Sequence, residues 1–343
     1  TSRLRRENIA LKRSDGPTAE MLGDSATFRI MKSQLDKVTK SNGRVMLTGG
    51  PGAGKEIAAR YIHANSNRAD APFVVVSSAS IDPDRMEEVL FGREGTERGL
   101  EKGLLEQANG GVIYFDEIAD MPLVTQSKIL RVLVDQKFQR VGGTDEVKVD
   151  LRVISSTSRD LLQEIQNKTF REELYHRLNV VPIPVPSLEQ RREDIPLLTD
   201  HFIAHFNKTQ GLALRSLSED ASAMLQTQIW PGNVRQLKNL IERVLILGDG
   251  TGEITVDDLP GDISSDSAKG GSVVSGILAT LPLREAREAF EREYLVAQIN
   301  RFGGNISKTA NFVGMERSAL HRKLKSLGVV SSGKSARIQE DAE

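Results

Sequence analysis

The chain is expected to fold as an α/β protein on a parallel sheet with a helical lid, followed by a small all-α domain. Three observations predict this. A glycine loop, Gly49-Gly50-Pro51-Gly52-Ala53-Gly54-Lys55-Glu56, sits between the apolar run Val45-Met46-Leu47 and the helical run Ile57-Ala58-Ala59-Arg60-Tyr61-Ile62. Three more short apolar runs, Pro72–Val76, Gly111–Phe115 and Leu151–Ile154, read as strands buried on both faces of a parallel sheet. Far downstream, two short helical patterns flank Gly314.

Composition bounds the rest. With 343 residues, 38% hydrophobic and 27% charged, the chain has material for two or three compact units. It contains no cysteine, which excludes a disulfide framework and a thiolate metal site, and five histidines offer little metal-ligand material. No run of about eighteen apolar residues exists to span a bilayer, and the start, Thr1-Ser2-Arg3-Leu4-Arg5-Arg6, lacks an apolar signal core. The expectation is a soluble cytoplasmic protein with no membrane partner. A net charge of -1 conceals basic residues gathered near both ends.

In chain order, residues 1–18 carry Arg3, Arg5, Arg6, Lys12 and Arg13, with Leu4 and Leu11 a heptad apart. They read as a linker helix after a preceding domain, or equally as a native tail. Met21 to Val38 has the three-and-four spacing of an amphipathic helix. The glycine loop follows. Strand, tight loop and helix in that order let backbone N–H groups and a helix N-terminus converge on one anion while Lys55 adds a point charge. The usual Ser or Thr after the lysine is here Glu56.

Ligands of open α/β sheets sit beyond the carboxyl ends of the strands. The run Val112-Ile113-Tyr114-Phe115 ends in Asp116-Glu117, and Leu151–Ile154 ends in Ser155-Ser156-Thr157-Ser158-Arg159. These endings point into one crevice with Lys55. With ATP at Lys55, Asp116 is placed to hold Mg²⁺ through water, and Glu117 to polarise the water that attacks the terminal phosphate. Arg171 and Arg177, within Phe170–Leu178, read from the residues alone as surface arginines.

From 191 to 259 the pattern is helical, with Ile195, Leu198, Phe202 and Phe206 in one group and Leu237, Leu240, Ile241 and Val244 in another. Pro231-Gly232 would start the second helix and leave Arg235 in its first turn. That arginine faces the nucleotide if the lid folds back, or serves a structural ion pair. Gly261 to Gly276 is rich in Ser, Gly and Asp and reads as a flexible linker. Leu283 to Phe302 is a long helical pattern, and a segment of about fifty residues gains from dimerisation. Asn305 to Lys325 has helix-turn-helix spacing, with Ile306, Ala310, Val313, Leu320 and Leu324 facing its core. Lys308 and, along the second helix, Arg317, Ser318, His321, Arg322 and Lys325 are then exposed donors suited to bases and phosphates. A dimer would place two such helices one DNA turn apart, on a roughly palindromic site. Residues 331–343 read as a disordered tail.

The ordered set Gly49–Glu56, Leu90-Phe91-Gly92, Glu106–Gly111, Asp116–Pro122, Phe170–Leu178 and Trp230–Arg235 resembles the AAA+ domain of bacterial NtrC-type enhancer-binding regulators. The likeness covers about residues 20 to 260, and these regulators also end their loop in Lys-Glu. It implies a nucleotide site of Leu22, Gly23, Gly50, Pro51, Gly52, Ala53, Gly54, Lys55 and Glu56, with Asp116 and Glu117 as the Walker B pair. It implies Arg171 and Arg177 as fingers reaching a neighbouring subunit, hence an oligomer, and Arg235 as a sensor of the terminal phosphate. The C-terminal segment is similar to Fis-type DNA-binding domains. The implied spans are a linker helix at 1–18, the α/β subdomain at 19–190, the lid at 191–260, a flexible linker at 261–278, the helix-turn-helix domain at 279–330 and the tail at 331–343. A phosphoacceptor receiver domain, addressed by a sensor kinase, is expected before residue 1.

Three positions depart from the family. The Gly-Ala-Phe-Thr-Gly-Ala loop that touches the alternative sigma factor is absent, and the shortened interval Arg93–Leu105 is charged and glycine-dotted. Ser77 stands where relatives place an Asn that restrains the Walker B glutamate. Ser158 occupies a variable sensing position. The resemblance implies a two-component, nitrogen-related DNA-binding regulator whose ATP- and Mg²⁺-binding module controls oligomerisation. The alternatives are an activator ATPase that works on RNA polymerase carrying the nitrogen-type sigma factor through an altered loop, and a nucleotide-gated DNA-binding protein without turnover.

Overall fold

A computed structural model of the chain describes residues 21–95, 99–248 and 252–260, and, further on, 291–292, 295–296, 298–299, 302 and 305–326. The linker helix expected at 1–18, the linker at 261–278 and the tail at 331–343 lie outside these residues. The chain divides into two units, the first drawn from Thr1–Ser218 and Ile229–Ile254, the second from Glu219–Gln228 and Thr255–Glu343.

Among its described residues the first unit has nine strands: β1 (Val45–Thr48), β2 (Phe73–Ser77), β3 (Gly92–Gly95), β4 (Gly99–Lys102), β5 (Val112–Asp116), β6 (Lys137–Gln139), β7 (Glu146–Lys148), β8 (Arg152–Thr157) and β9 (Val181–Pro184). Five of them form a parallel sheet in the order β2-β5-β8-β1-β9. Side chains of a strand alternate between faces, so each strand feeds two cores. Val45 and Leu47 pack with Val112, Tyr114, Ile154 and Ile183 against helix α1 (Ala26–Thr39) and helix α2 (Lys55–Ala64), whose Leu35, Ala58 and Ile62 are fully buried. Met46, Val76, Ile113, Phe115 and Val153 pack on the other face against helix α3 (Leu123–Asp135) and helix α4 (Glu172–Leu178) through Ile129, Val132, Leu174 and Leu178. Each such side chain contributes about 1.5–3 kcal/mol of transfer free energy. The central strands β1, β5 and β8 are buried on both faces, which explains their unbroken apolar runs, whereas β2, expected to be doubly buried, is a sheet edge on which Phe73, Val74 and Val75 are only half-buried.

Two further elements differ from the sequence expectation. The first helix begins at Ala26 and not at Met21, because Ser25 caps it by accepting from Phe28 N and Asp194 holds the turn before it. Asp194 accepts from Asp24 N (2.7 Å), Ser25 N (2.8 Å) and Ser25 Oγ (2.7 Å). The strand β9 was not anticipated, since Pro182 and Pro184 remove ladder donors. It is tolerated because β9 is an edge strand with only β1 beside it.

The shortened interval forms an antiparallel hairpin of β3 and β4, and β6 pairs with β7 in another. Past β9, a 3₁₀ stretch Leu188–Asp194 leads into helix α5 (Ile195–Gln210), and helix α6 (Asn233–Leu247) follows Gly232. Glu219–Gln228, inside the expected lid span of 191–260, groups with the second unit. There, helix α7 (Ile306–Val313) and helix α8 (Arg317–Ser326) flank Gly314, which caps α7 with φ +71°. Leu295, Ala310, Leu320 and Leu324 form their core, with Ile306 and Val313 packed against it. Among the described residues no helix is long and apolar enough to cross a membrane.

Candidate nucleotide site and DNA-reading helix

The loop between β1 and α2 wraps the end of the sheet. Gly52 and Gly54 have φ of +72° and +109°, values that favour glycine. A Cβ on Gly52 would lie 2.2 Å from Gly232 O, whereas one on Gly54 would meet nothing within 4 Å. The loop is therefore closed where it meets the root of α6 and open where α2 begins, with its unpaired N–H groups. Lys55 is buried and its Nζ donates to Gly49 O (2.8 Å) and Gly50 O (3.2 Å) while pairing with Glu117 Oε1 at 2.9 Å.

The ends of β5 and β8 complete the group. Glu117 adopts φ +51°, a left-handed conformation rare for a non-glycine residue, which turns its carboxylate towards Lys55. Its Oε2 accepts from Ser158 N (2.8 Å) and Ser158 Oγ (2.9 Å). Burial alone would raise the pKa of this carboxyl, but Lys55 and the Ser158 donors outweigh it and hold the value below the ordinary one. Asp116 Oδ1 accepts from Tyr114 OH (2.8 Å) and Ser156 Oγ (2.8 Å). Burial, chiefly, raises the Tyr114 pKa, so the phenol stays a proton donor to that carboxylate.

The residues present fit a magnesium nucleotide. The loop offers an open glycine, a helix N-terminus and a buried ammonium to phosphate. Among the described residues Asp116 Oδ2 accepts no hydrogen bond, and no group of three or more His, Asp or Glu could hold a metal ion. A small hard cation held by one carboxylate, phosphate oxygens and water suits that donor set.

Other expected site residues are placed as follows. Gly50, Pro51, Gly52, Ala53 and Gly54 form the loop itself. Leu22 and Gly23 lie just before α1, where a Cβ on Gly23 would strike the Phe28 ring at 2.6 Å. Arg235 is in the first turn of α6 and its N–H reaches Gly52 O (3.4 Å). Glu56 does not join the group, because Arg60 one turn on takes its Oε1 at 2.7 and 2.9 Å. Arg171 and Arg177 are exposed and, among the described residues, make no bond to Lys55, Asp116 or Glu117; Arg171 Nε donates to Leu123 O. Ser77 pairs with Ser80 (2.9 Å), so the restraint on Glu117 comes from Ser158. Tyr114 and Ser156 were missed as site residues, although a tyrosine two before the acid pair and a serine run ending β8 were visible signals.

In the second unit, Lys308, Arg317, Ser318, His321, Arg322 and Lys325 are all exposed. Lys323 turns back to Glu291 (2.6 Å). An open groove of about 950 Å³ lies over the turn, lined among others by Ser307, Asn311, Arg317, Ser318 and His321.

The parallel sheet, glycine loop and acid pair define a AAA+ P-loop unit, and the second unit carries a Fis-type helix-turn-helix. Family comparison agrees: residues 21–184 match the Sigma-54 interaction domain, 189–275 the AAA+ ATPase lid domain and 286–327 the Bacterial regulatory protein, Fis family. The chain is 54% identical over 337 residues to the nitrogen assimilation regulatory protein NtrX of Azorhizobium caulinodans, covering 96% of this chain and 73% of that protein. It is 37% identical over 336 residues to the DNA-binding transcriptional regulator NtrC of Escherichia coli K12, covering 92% and 71%. A crystal structure of NtrX from Brucella abortus in complex with ATP superposes with a TM-score of 0.78 at 51% identity, covering 96% of this chain and 72% of that one. The chain belongs to the NtrC/NtrX family of two-component transcriptional regulators.

Proposed function

We propose that the AAA+ unit binds ATP with Mg²⁺ and hydrolyses it, and that nucleotide occupancy controls assembly of the regulator on double-stranded DNA. The observation that carries this reading is the convergence of Lys55, Glu117 and Ser158 at the open end of the glycine loop. Support comes from the related NtrX of Brucella abortus, whose structures contain ATP or ADP. In this reading Gly50 to Lys55 cradle the phosphates, Leu22 and Gly23 border the base, and Asp116 holds the cation. When bound, that cation supplies charge neutralisation on the β- and γ-phosphate oxygens. Glu117, released from Lys55 as phosphate takes the ammonium, orients the attacking water. Arg171 and Arg177 are exposed in the first unit, the requirement for fingers that act on a neighbouring copy, and Arg235 stands beside the loop to meet the terminal phosphate. Arg317, Ser318, His321, Arg322 and Lys325 read DNA, with Lys308 on the backbone, at a palindromic operator bound by a dimer.

Equilibrium binding of ATP to the unmodified protein and to Lys55→Ala tests the cradle, and undiminished affinity in the variant sinks it. Phosphate release compared with Glu117→Gln tests turnover: equal background rates leave a nucleotide-gated DNA-binding protein. A second reading, action on the sigma-54 polymerase, is favoured by the hairpin β3–β4, whose strand β4 is exposed along its whole length with Leu100 56% accessible. Nucleotide-dependent binding to that sigma factor would select it.

A further inference from the structure

Phosphate-binding loops work because their N–H groups face inward, which requires the carbonyl of each peptide to face outward. In this protein three consecutive outward carbonyls are each taken by the root of the lid. Asn233 Nδ2 donates to Pro51 O (3.0 Å), Arg235 N to Gly52 O (3.4 Å) and Arg191 Nη2 to Ala53 O (2.8 Å). The N–H groups on the inner sides of those peptides belong to Gly52, Ala53 and Gly54, that of Ala53 also closing a turn on Gly50 O (3.3 Å).

The two side chains involved are costly to place. Asn233 is buried with φ +49°, a conformation that Asn tolerates better than other side chains. Its amide is used from both ends, since Oδ1 accepts from Leu188 N (2.7 Å). Arg191 is 5% exposed, departs from helical geometry at φ -138° and ψ 46°, and stands over the Phe28 ring at 5.5 Å. A buried guanidinium and a left-handed asparagine, both aimed at the back of one loop, exceed what anchoring a helix start requires.

We propose that Asn233 and Arg191 are positioning residues that couple the lid to phosphate binding through the outer carbonyls of Pro51 and Ala53. This rests on the reading of the loop as a nucleotide site. A donor on each carbonyl polarises its peptide and strengthens the N–H offered to the anion, and bound anion strengthens the donor contact in return. The coupling is therefore reciprocal: nucleotide tightens the lid root, and a correctly seated lid root raises nucleotide affinity.

The test is calorimetric binding of ADP and a non-hydrolysable ATP analogue, with amide exchange at Leu188 as a second readout. Asn233→Asp keeps the acceptor for Leu188 N–H and presents an oxygen to Pro51 O; Asn233→Gly keeps the positive φ without strain and removes both bonds. Each is expected to weaken both nucleotides by about tenfold, the order of one lost hydrogen bond. Arg191→Lys should lose less than Arg191→Met. In the unmodified protein nucleotide is expected to slow exchange at Leu188, and in Asn233→Asp that slowing is expected to be absent even at saturation. Unaltered affinity in both Asn233 variants, or weakened binding with an undiminished Leu188 response, overturns the proposal and leaves the nucleotide reading standing. If the Asn233 variants do not fold, equal affinity across the Arg191 pair and the unmodified protein overturns it. Absence of binding by the unmodified protein, or undiminished binding by Lys55→Ala, overturns both readings together.

Discussion

Lys55 and Glu117 are chemically complete in each other's company. The three protons of the ammonium are matched by Gly49 O, Gly50 O and Glu117 Oε1, and the carboxylate has two further donors from Ser158. In the proposed reading a phosphate entering the loop would compete with Glu117 for Lys55, so that binding would also release the carboxylate. The pH dependence follows from the lowered Glu117 pKa. Its contribution to stability is fully present above the ordinary carboxylate value of 4.5 and is lost as pH falls through the lowered native value. Urea midpoints measured from pH 7 to 3 should therefore fall more steeply for the unmodified protein than for Glu117→Gln. Parallel curves would show that the ion pair contributes nothing. Neither the Ser158 restraint nor the left-handed backbone of Glu117 was legible from the sequence, because both arise where β5 and β8 end side by side.

The two hairpins act at the scale of the element. Glu94 N donates to Val141 O and Val141 N to Gly92 O, both at 3.0 Å, which stitches β3 to the loop between β6 and β7. Arg140 pairs with Glu94 at 3.2 Å and Glu106 at 3.0 Å, across the same seam. Close approach is enforced at Gly92, with φ +76°, where a Cβ would lie 2.4 Å from Glu101 O. Arg140→Ala should speed amide exchange at Glu94 and Val141 by about tenfold or more while leaving nucleotide affinity unchanged, since local opening reports local contacts. Unchanged exchange would mean that the backbone bonds alone hold the seam. This hairpin could not be read from the sequence because β4 is exposed throughout and shows no apolar alternation. Its seam is made with a partner loop nearly fifty residues downstream of β3.

The whole molecule joins a glycine loop in its first unit to a helix-turn-helix in its second. The helix-turn-helix presents exposed cations, and a contact to phosphate releases counterions on binding. Arg322→Ala should weaken operator binding and lower the magnitude of the log affinity against log salt slope by about one, with ATP affinity unchanged. An unaltered slope would remove Arg322 from the DNA contact. Lys323, although on the same helix, is engaged by Glu291 and is expected to leave the slope unchanged.

By itself the sequence determined β1, β2, β5 and β8 as strands, where the glycine loop lies, which acids follow it and which helix carries exposed cations. These properties are local: period, glycine spacing and charge are written within a dozen residues. Tertiary structure alone decided that Ser158 restrains Glu117, that Glu56 turns to Arg60, that two prolines fit an edge strand, and that Asn233 and Arg191 grip the back of the loop. Those facts depend on which strand ends and helix starts become neighbours, and such neighbours are set by the packing of both sheet faces, which no short stretch of chain contains.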